Sequence, residues 1–322
     1  MSGWEETREQ LIKKYGKDSF GIIKGIEGQP TGIPPLDRAL GTGGFPKGRI
    51  VEIFGPESGG KTLVSLVSIA HAQKNTEKPC AFFDLEYSLE DRWAELLGVD
   101  LKRLDPWHKD FGEENLDMIR DMAESGIYSY IVVDSLVGLV PKKVVENDAM
   151  APKGERIAET ALMMKRGLRR IVPVLAKTET CILFINHIIS KVGVMFGSDE
   201  TTPGGKALKF YASQRLRVSR VSRSEVKDGQ QVIGHSVKVK VVKNKLAPPQ
   251  RSAEFPIIYT EGVDHVSLII DEAVALGVIE KEGKTYSFGG EKIAVGYDKY
   301  FEAVSGDPVL LQEVTTKVNE IQ

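Results

Sequence analysis

A glycine-rich stretch, Gly55-Pro56-Glu57-Ser58-Gly59-Gly60-Lys61-Thr62, sets a lysine and a hydroxyl residue side by side at the end of a turn. It matches the phosphate-binding pattern G-x-x-x-x-G-K-[ST] at every fixed position. Glycines let a backbone wrap closely around phosphate oxygens, and the amide groups that open a following helix face the negative charge. Lys61 is expected to reach the β- and γ-phosphates of a triphosphate, and the Thr62 hydroxyl to complete a Mg²⁺ shell. Hydrolysis needs a water activator as well. Two apolar runs end in carboxylates, Ile131-Val132-Val133-Asp134-Ser135 and Phe82-Phe83-Asp84-Leu85-Glu86. Asp134 suits the second carboxylate of the metal shell, and Glu86 a base that orients and deprotonates water, with Asp84 and Glu90 competing nearby. Trp93 offers a face on which a purine base can stack. Its spacing with Leu89, Leu96 and Leu97 equally suits a core side chain.

These groups must be held by strands and helices. Arg49–Phe54 reads as a buried strand, and Leu63–Lys74 as a helix with apolar residues at 63, 66, 67 and 70. Strand, glycine loop and helix thus follow in the order that phosphate binding requires. Alternation continues with strands at Cys80–Glu86, Tyr130–Ser135 and Cys181–Asn186, and helices at Leu89–Leu97, Glu113–Ser125 and Glu155–Leu175. Continuous apolar strands between helices predict an α/β fold, a mostly parallel sheet covered on both faces. Gln214–Val221, Ser236–Asn244 and Glu254–Thr260 follow without helices and predict an antiparallel extension. After Gly262 a small unit is expected: a helix at Ser267–Leu276, a hairpin across Glu282-Gly283, and a helix from Asp307-Pro308, where Asp as cap and Pro as first residue make a start signal. At the other end, Glu5–Tyr15 forms a short amphipathic helix, and Gly16–Pro35 reads as a linker. Such a helix has little core of its own and is expected to dock on something else, such as a neighbouring subunit. The expected organisation is 1–30, an N-terminal polymerisation helix and linker; 31–262, the core; and 263–322, a small C-terminal domain.

Composition narrows the setting. The chain has 322 residues, 41% hydrophobic and 27% charged, as in ordinary globular proteins. Cys80 and Cys181 each open an apolar run, so two buried thiols in a reducing compartment are expected, without a disulfide or metal site. The first residues lack a signal-peptide layout, and no apolar run nears the ~18 residues of a membrane span. A cytoplasmic protein without membrane contact is expected. Net charge is −2, yet residues 206–245 hold eleven Lys or Arg against Glu225 and Asp228, whereas 246–322 hold six basic and thirteen acidic residues. This polarity fits a core that touches a polyanion, and a solvated basic face would carry the same charges.

Two stretches have the character of nucleic-acid loops. Residues 188–205 are long, bounded by glycine, and follow a core strand; Val192, Met195 and Phe196 are costly to expose unless they wedge or stack against bases. Residues 142–154 lead into a helix bearing Lys165, Arg166, Arg169 and Arg170, four cations in six positions that can follow a phosphate backbone or form a solvated face.

Taken together, Gly48–Thr62, Ile131–Ser135, Lys191–Gly197, Gly205–Ser213, Val242–Pro248 and Glu254–Gly262 make the chain resemble the bacterial RecA-type strand-exchange recombinases over nearly its whole length. The phosphate loop is shared by many ATPases; the loop around Phe196 together with Lys243-Asn244-Lys245 is far more specific. The resemblance implies a RecA-type P-loop ATPase core and a helical homo-oligomeric filament on single-stranded DNA, with ATP and Mg²⁺ sandwiched between protomers. It implies Glu86 as catalytic base, Trp93 stacked on adenine, and Glu90 near the adenine edge. Lys243 and Lys245 would reach a neighbour's ATP. Lys165, Arg169, Val192, Met195, Phe196, Gly204, Gly205 and Lys206 become candidate DNA contacts. The N-terminal helix and Phe210 would lie between protomers, and the C-terminal unit would meet double-stranded DNA.

Three features depart from the family pattern. His187 stands where a Gln that senses the γ-phosphate is usual; imidazole both donates and accepts, so weaker or pH-sensitive coupling of ATP to DNA is expected. The 142–154 loop is a few residues longer, and Leu162 replaces a usual Arg, with Lys165 as the candidate compensation. The sequence ends at Gln322 without the long acidic tail of many relatives, and readier engagement of duplex DNA is expected. Two other readings share the phosphate loop: an accessory protein that mediates a partner's filament, and a hexameric DNA motor. Glu86, Lys243 and Lys245 argue against the first, and the N-terminal helix with the Val-Met-Phe loop against the second.

Overall fold

A computed structural model of the chain describes residues 2–16, 25–146, 153–190 and 200–321. The first helix, α1 (Gly3–Tyr15), is capped reciprocally by Ser2 and Glu5 and buries none of its residues. Trp4, Leu11 and Tyr15 are exposed on it. Between it and the core, β1 (Gly28–Gln29) pairs with β2 (Phe45–Pro46), and α2 (Pro34–Leu40) starts on two prolines whose fixed φ suits a first turn. Proline thus opens a helix inside the expected linker.

The core runs β3 (Ile50–Gly55), α3 (Lys61–Asn75), β4 (Cys80–Asp84), α4 (Asp91–Leu96), β5 (Leu104–Trp107), α5 (Gly112–Ser125), β6 (Tyr130–Asp134), α6 (Lys142–Glu146), α7 (Lys153–Leu175) and β7 (Cys181–His187). A two-residue ladder, β8 (Ile189–Ser190) with β9 (Glu200–Thr201), follows β7 and leads to α8 (Ala207–Tyr211). The chain then forms the long strands β10 (Gln214–Asp228) and β11 (Gln231–Asn244), and the shorter β12 (Ser252–Ile258) and β13 (Gly262–Val263). These strands make one nine-stranded sheet in the order β13-β12-β11-β10-β3-β7-β6-β4-β5. Pairing is parallel from β10 through β5 and antiparallel from β10 through β13, the arrangement expected from the sequence.

Alternate residues of the central strands feed two apolar layers. Val51, Ile53, Phe82, Val132, Leu183 and Ile185 pack with Val64, Leu66 and Val67 of α3. Ile131, Val133, Ile182 and Phe184 pack on the other face with Leu116 and Ile119 of α5 and Met164, Leu168 and Ile171 of α7. Each of these side chains contributes about 1.5–3 kcal/mol by leaving water. Cys80 and Cys181 are free thiols inside this core, and burial pushes the Cys80 thiol up to about 12.

A third, separate cluster holds the C-terminal unit: α9 (His265–Ala275), a sheet of β14 (Glu280–Glu282), β15 (Thr285–Phe288) and β16 (Glu291–Val295), then α10 (Tyr297–Ser305) and α11 (Pro308–Ile321). Tyr286 and Tyr300 stack in parallel at 4.3 Å inside it. Strand β16 and helix α10 add to the expected elements. The unit joins the core through α2, where Arg38 lies 3.1 Å from the buried Glu272 of α9. Two further expectations shift: β10 runs seven residues past Val221, and a helical turn, α6, occupies the start of the expected 142–154 loop.

Candidate functional site

The phosphate loop hangs from the fully buried β3 and feeds the first turn of α3. Its shape depends on glycine. Gly60 has φ +95°, and a Cβ on Gly55 would lie 1.9 Å from the Val218 carbonyl oxygen. Pro56, Glu57 and Ser58 form the exposed crest, while Gly59 and Lys61 are buried. The Lys61 ammonium donates to the Pro56 carbonyl at 2.8 Å. Burial lowers its pKa, against the pull of Asp134, Glu86 and Glu57. A buried cation bonded to a neutral carbonyl fits an anionic phosphate.

Asp134, 3% exposed at the end of β6, accepts a 2.6 Å hydrogen bond from the Thr62 hydroxyl. Burial raises its pKa to about 6, the Thr62 bond opposing and the charges of Glu86 and Asp84 adding to the rise. A buried carboxylate whose charge Lys61 only partly offsets, beside a hydroxyl, is a donor set suited to Mg²⁺. Thr62 and Asp134, 72 residues apart in the chain, are brought together as the strand order dictates.

Glu86 and Asp84 separate cleanly. Asp84 accepts the Ser88 and Leu89 amides, both at 3.0 Å, and so shapes the loop after β4. Glu86 points elsewhere: its Oε1 accepts from the Ser135 hydroxyl and lies 2.8 Å from His187 Nε2. Burial raises its pKa, but the bonds from Ser135 and His187 and the charges of His187 and Lys61 outweigh burial, and the net shift is downward. Both donors meet one oxygen, which keeps the carboxylate ionised with Oε2 available to a water proton. His187 therefore touches the candidate base directly, two residues before β8.

A cavity of about 260 Å³ beside the loop is lined by Ser58–Leu63, Trp93, His235, Ile257 and Tyr259. Trp93 both packs on the core and lines this cavity, so the two sequence readings are compatible. Glu90 is exposed at the position preceding α4 and is not part of the lining. Tyr259 and His235, 3.3 Å apart through Oη and Nδ1, were invisible to motif reading. They reach the cavity because β11 and β12 extend the sheet past the phosphate loop.

Lys243 and Lys245 lie elsewhere. The register sets Lys243 opposite Arg215, which pairs with Glu52, three residues before Gly55. The Lys243 amine donates to the Lys209 and Phe210 carbonyls at 2.5 and 3.2 Å, and Lys245 to Phe210 at 2.7 Å. Burial, with Lys245 and Arg215 nearby, lowers the Lys243 pKa to about 8. Phe210 beside them is 68% exposed, a large apolar surface to leave in water. Other charges of the basic segment are tied internally: Arg215 donates to the buried Glu52, which also accepts from Asn186. Lys238 and Lys240 remain exposed.

Of the candidate DNA contacts, Lys165 and Arg169 are exposed one turn apart on α7. Ala161, one turn earlier, would lie 2.7 Å from a Cβ on Gly205. Gly204 packs equally closely on Leu136, and both glycines have positive φ. Lys206 is exposed at the start of α8. Of these five residues, Gly205 thus packs against the middle of α7, the helix that carries Lys165 and Arg169. Val192, Met195 and Phe196 lie outside the described residues, as does the 147–152 part of the 142–154 stretch.

A glycine loop between parallel strand and helix, a metal-ready Thr–Asp pair and an ionised glutamate define the class, a P-loop ATPase. The family model for the RecA N-terminal domain matches residues 4–264, and that for the RecA C-terminal domain matches 267–321. Curated relatives include Protein RecA of Thermus aquaticus, 47% identical over 321 residues, covering 98% of this chain and 93% of the relative. Protein RecA of Aquifex pyrophilus is 42% identical over 327 residues, covering 100% and 92%. The chain belongs to the RecA family. It is a recombinase with DNA-dependent ATPase activity.

Proposed function

We propose that the chain forms a helical filament on single-stranded DNA in the cytoplasm, binds Mg²⁺–ATP between adjacent protomers, and pairs the strand with homologous double-stranded DNA during recombinational repair. Lys61 and the loop amides hold the phosphates, and Thr62 and Asp134 hold the metal, which neutralises charge on the transferring phosphoryl group. Glu86, kept ionised by Ser135 and His187, orients the attacking water and accepts its proton. Trp93 and Tyr259 flank the base, with Glu90 at its outer edge. Lys165, Arg169, Gly204, Gly205 and Lys206 meet the DNA backbone, and Val192, Met195 and Phe196 its bases. Residues 1–30 serve polymerisation, 31–262 catalysis and DNA binding, and 263–322 contact with duplex.

One observation carries the shared site: Lys243 and Lys245 gather around an exposed Phe210, bonded to carbonyls rather than to the phosphate loop of their own chain. Cations placed so are free to cap a neighbour's triphosphate, while α1, with its own apolar residues exposed, provides the second contact between subunits. Strand exchange with ATP, run beside Glu86→Gln, tests the reading. The variant should form filaments and hydrolyse slowly; closed rings that unwind DNA without pairing it would overturn the proposal.

A further inference from the structure

Loop 188–205 is fixed to the nucleotide site at both ends. Its first end follows His187, which touches Glu86. Its second end, β9, is held differently. Arg217 grips Glu200 through two bonds, Nε to Oε2 at 3.1 Å and Nη2 to Oε1 at 2.9 Å. Lys209 donates to Thr201 at 2.7 Å, and Asn186 to the Pro203 carbonyl at 3.3 Å. Arg217 is aligned with Phe54, the residue before the phosphate loop. Its neighbour Val218 backs that loop: the Val218 oxygen limits Gly55 at 1.9 Å and Gly59 at 3.3 Å from a hypothetical Cβ.

We propose that the Arg217–Glu200 pair is a strap that transmits nucleotide occupancy from the phosphate loop, through the Val218 backbone, to the second end of the DNA loop. It works beside the Glu86–His187 contact. Stability does not explain it. Both side chains are more than one-third exposed, 35% and 38%, and such pairs contribute at most about 1 kcal/mol. Their value lies in geometry: a planar guanidinium fork meeting a carboxylate on two bonds fixes orientation as well as distance. The hydrogen bonds from Arg217 also lower the Glu200 pKa, so the strap stays charged through the neutral range. Arg217 and Glu200 act as positioning residues and touch neither ATP nor DNA.

The inference rests on the proposed coupling of ATP to DNA, and one experiment separates the two. The dissociation constant of an oligo-dT is measured for the full chain with and without a non-hydrolysable ATP analogue, and the ratio of the two is the coupling. Arg217→Gln and Glu200→Gln should each shrink that ratio by up to about fivefold, the most that a pair of this exposure can transmit. ATPase without DNA should stay within about twofold, because neither residue is placed in the catalytic site. Exchanging the charges, Glu200→Arg with Arg217→Glu, should restore at least half of the logarithm of the lost ratio. Equal weakening of DNA binding with and without the analogue, or no rescue by the exchange, would reduce the pair to local structure and overturn the strap. A wild-type ratio of one would overturn the coupling itself, and the strap with it.

Discussion

Asp134→Asn should make the protein without nucleotide more stable and a poorer enzyme. The carboxyl is 3% exposed, and its pKa is raised from 3.8 to about 6 by burial. The folded protein therefore holds this proton more tightly than the unfolded chain does. That stabilisation is complete below about 3.8 and is lost as pH rises through about 6. Two pKa units at about 1.36 kcal/mol each give a cost of about 3 kcal/mol at pH 8, and about half of it at pH 5. Asparagine keeps the shape and can still accept from Thr62, but it carries no charge. Urea unfolding without Mg²⁺ or ATP should therefore show the stability difference, variant minus wild type, increasing by about 1–2 kcal/mol between pH 5 and pH 8. Mg²⁺–ATP should stabilise the wild type more than the variant, and the ATPase rate should fall roughly 10–100-fold, the usual effect of altering a metal's supporting ligands. A difference that stays flat with pH, or runs in the opposite sense, would refute the reasoning about a buried carboxylate that Lys61 only partly offsets.

Other substitutions probe the remaining parts. Glu86→Gln retains an acceptor for Ser135 and His187 but no base, so DNA-stimulated hydrolysis should drop about 10²–10⁴-fold in a phosphate-release assay while DNA binding with ATP persists. Trp93→Ala should raise KM for ATP by up to about tenfold through lost stacking, with kcat less affected. Gly55→Ala forces a methyl group onto the Val218 carbonyl and should abolish nucleotide binding in a fluorescence titration.

Much of this architecture was legible because local and global signals agree. The phosphate loop, the apolar runs leading to Asp134 and Glu86 (the second strand stops at Asp84, two residues short of Glu86), and the helical periodicity of 113–125 and 155–175 each specify an element, and parallel order then brings their ends together. Glu86 is preferred to Asp84 as water activator already in the sequence; what the sequence leaves out is the surroundings, in which Asp84, closing β4, accepts the Ser88 and Leu89 amides whereas Glu86, two residues on, meets Ser135 and His187. Tyr259 and His235 gave no signal: their place beside the phosphate loop depends on sheet order across about two hundred residues, with no short pattern to mark it. Helix α2 escaped because proline reads as a breaker, although at a first turn it is a starter. The long hairpin of β10 and β11 was cut short at Val221, where Ser222-Arg223-Ser224 and irregular register interrupt the alternation.

The central claim is that a neighbour's cations complete each ATP site. Glu86→Gln lacks the base in its own site, and Lys243→Ala combined with Lys245→Ala lacks the groups lent to a neighbour, so each protein alone should be nearly inactive on single-stranded DNA. Mixed in equal amounts before filaments form, they should regain about one quarter of wild-type ATPase per site, the share of interfaces at which an intact Glu86 faces intact lysines in a head-to-tail assembly. A mixture no more active than its components, although both proteins enter the same filaments, would contradict the claim and return the whole site to a single chain.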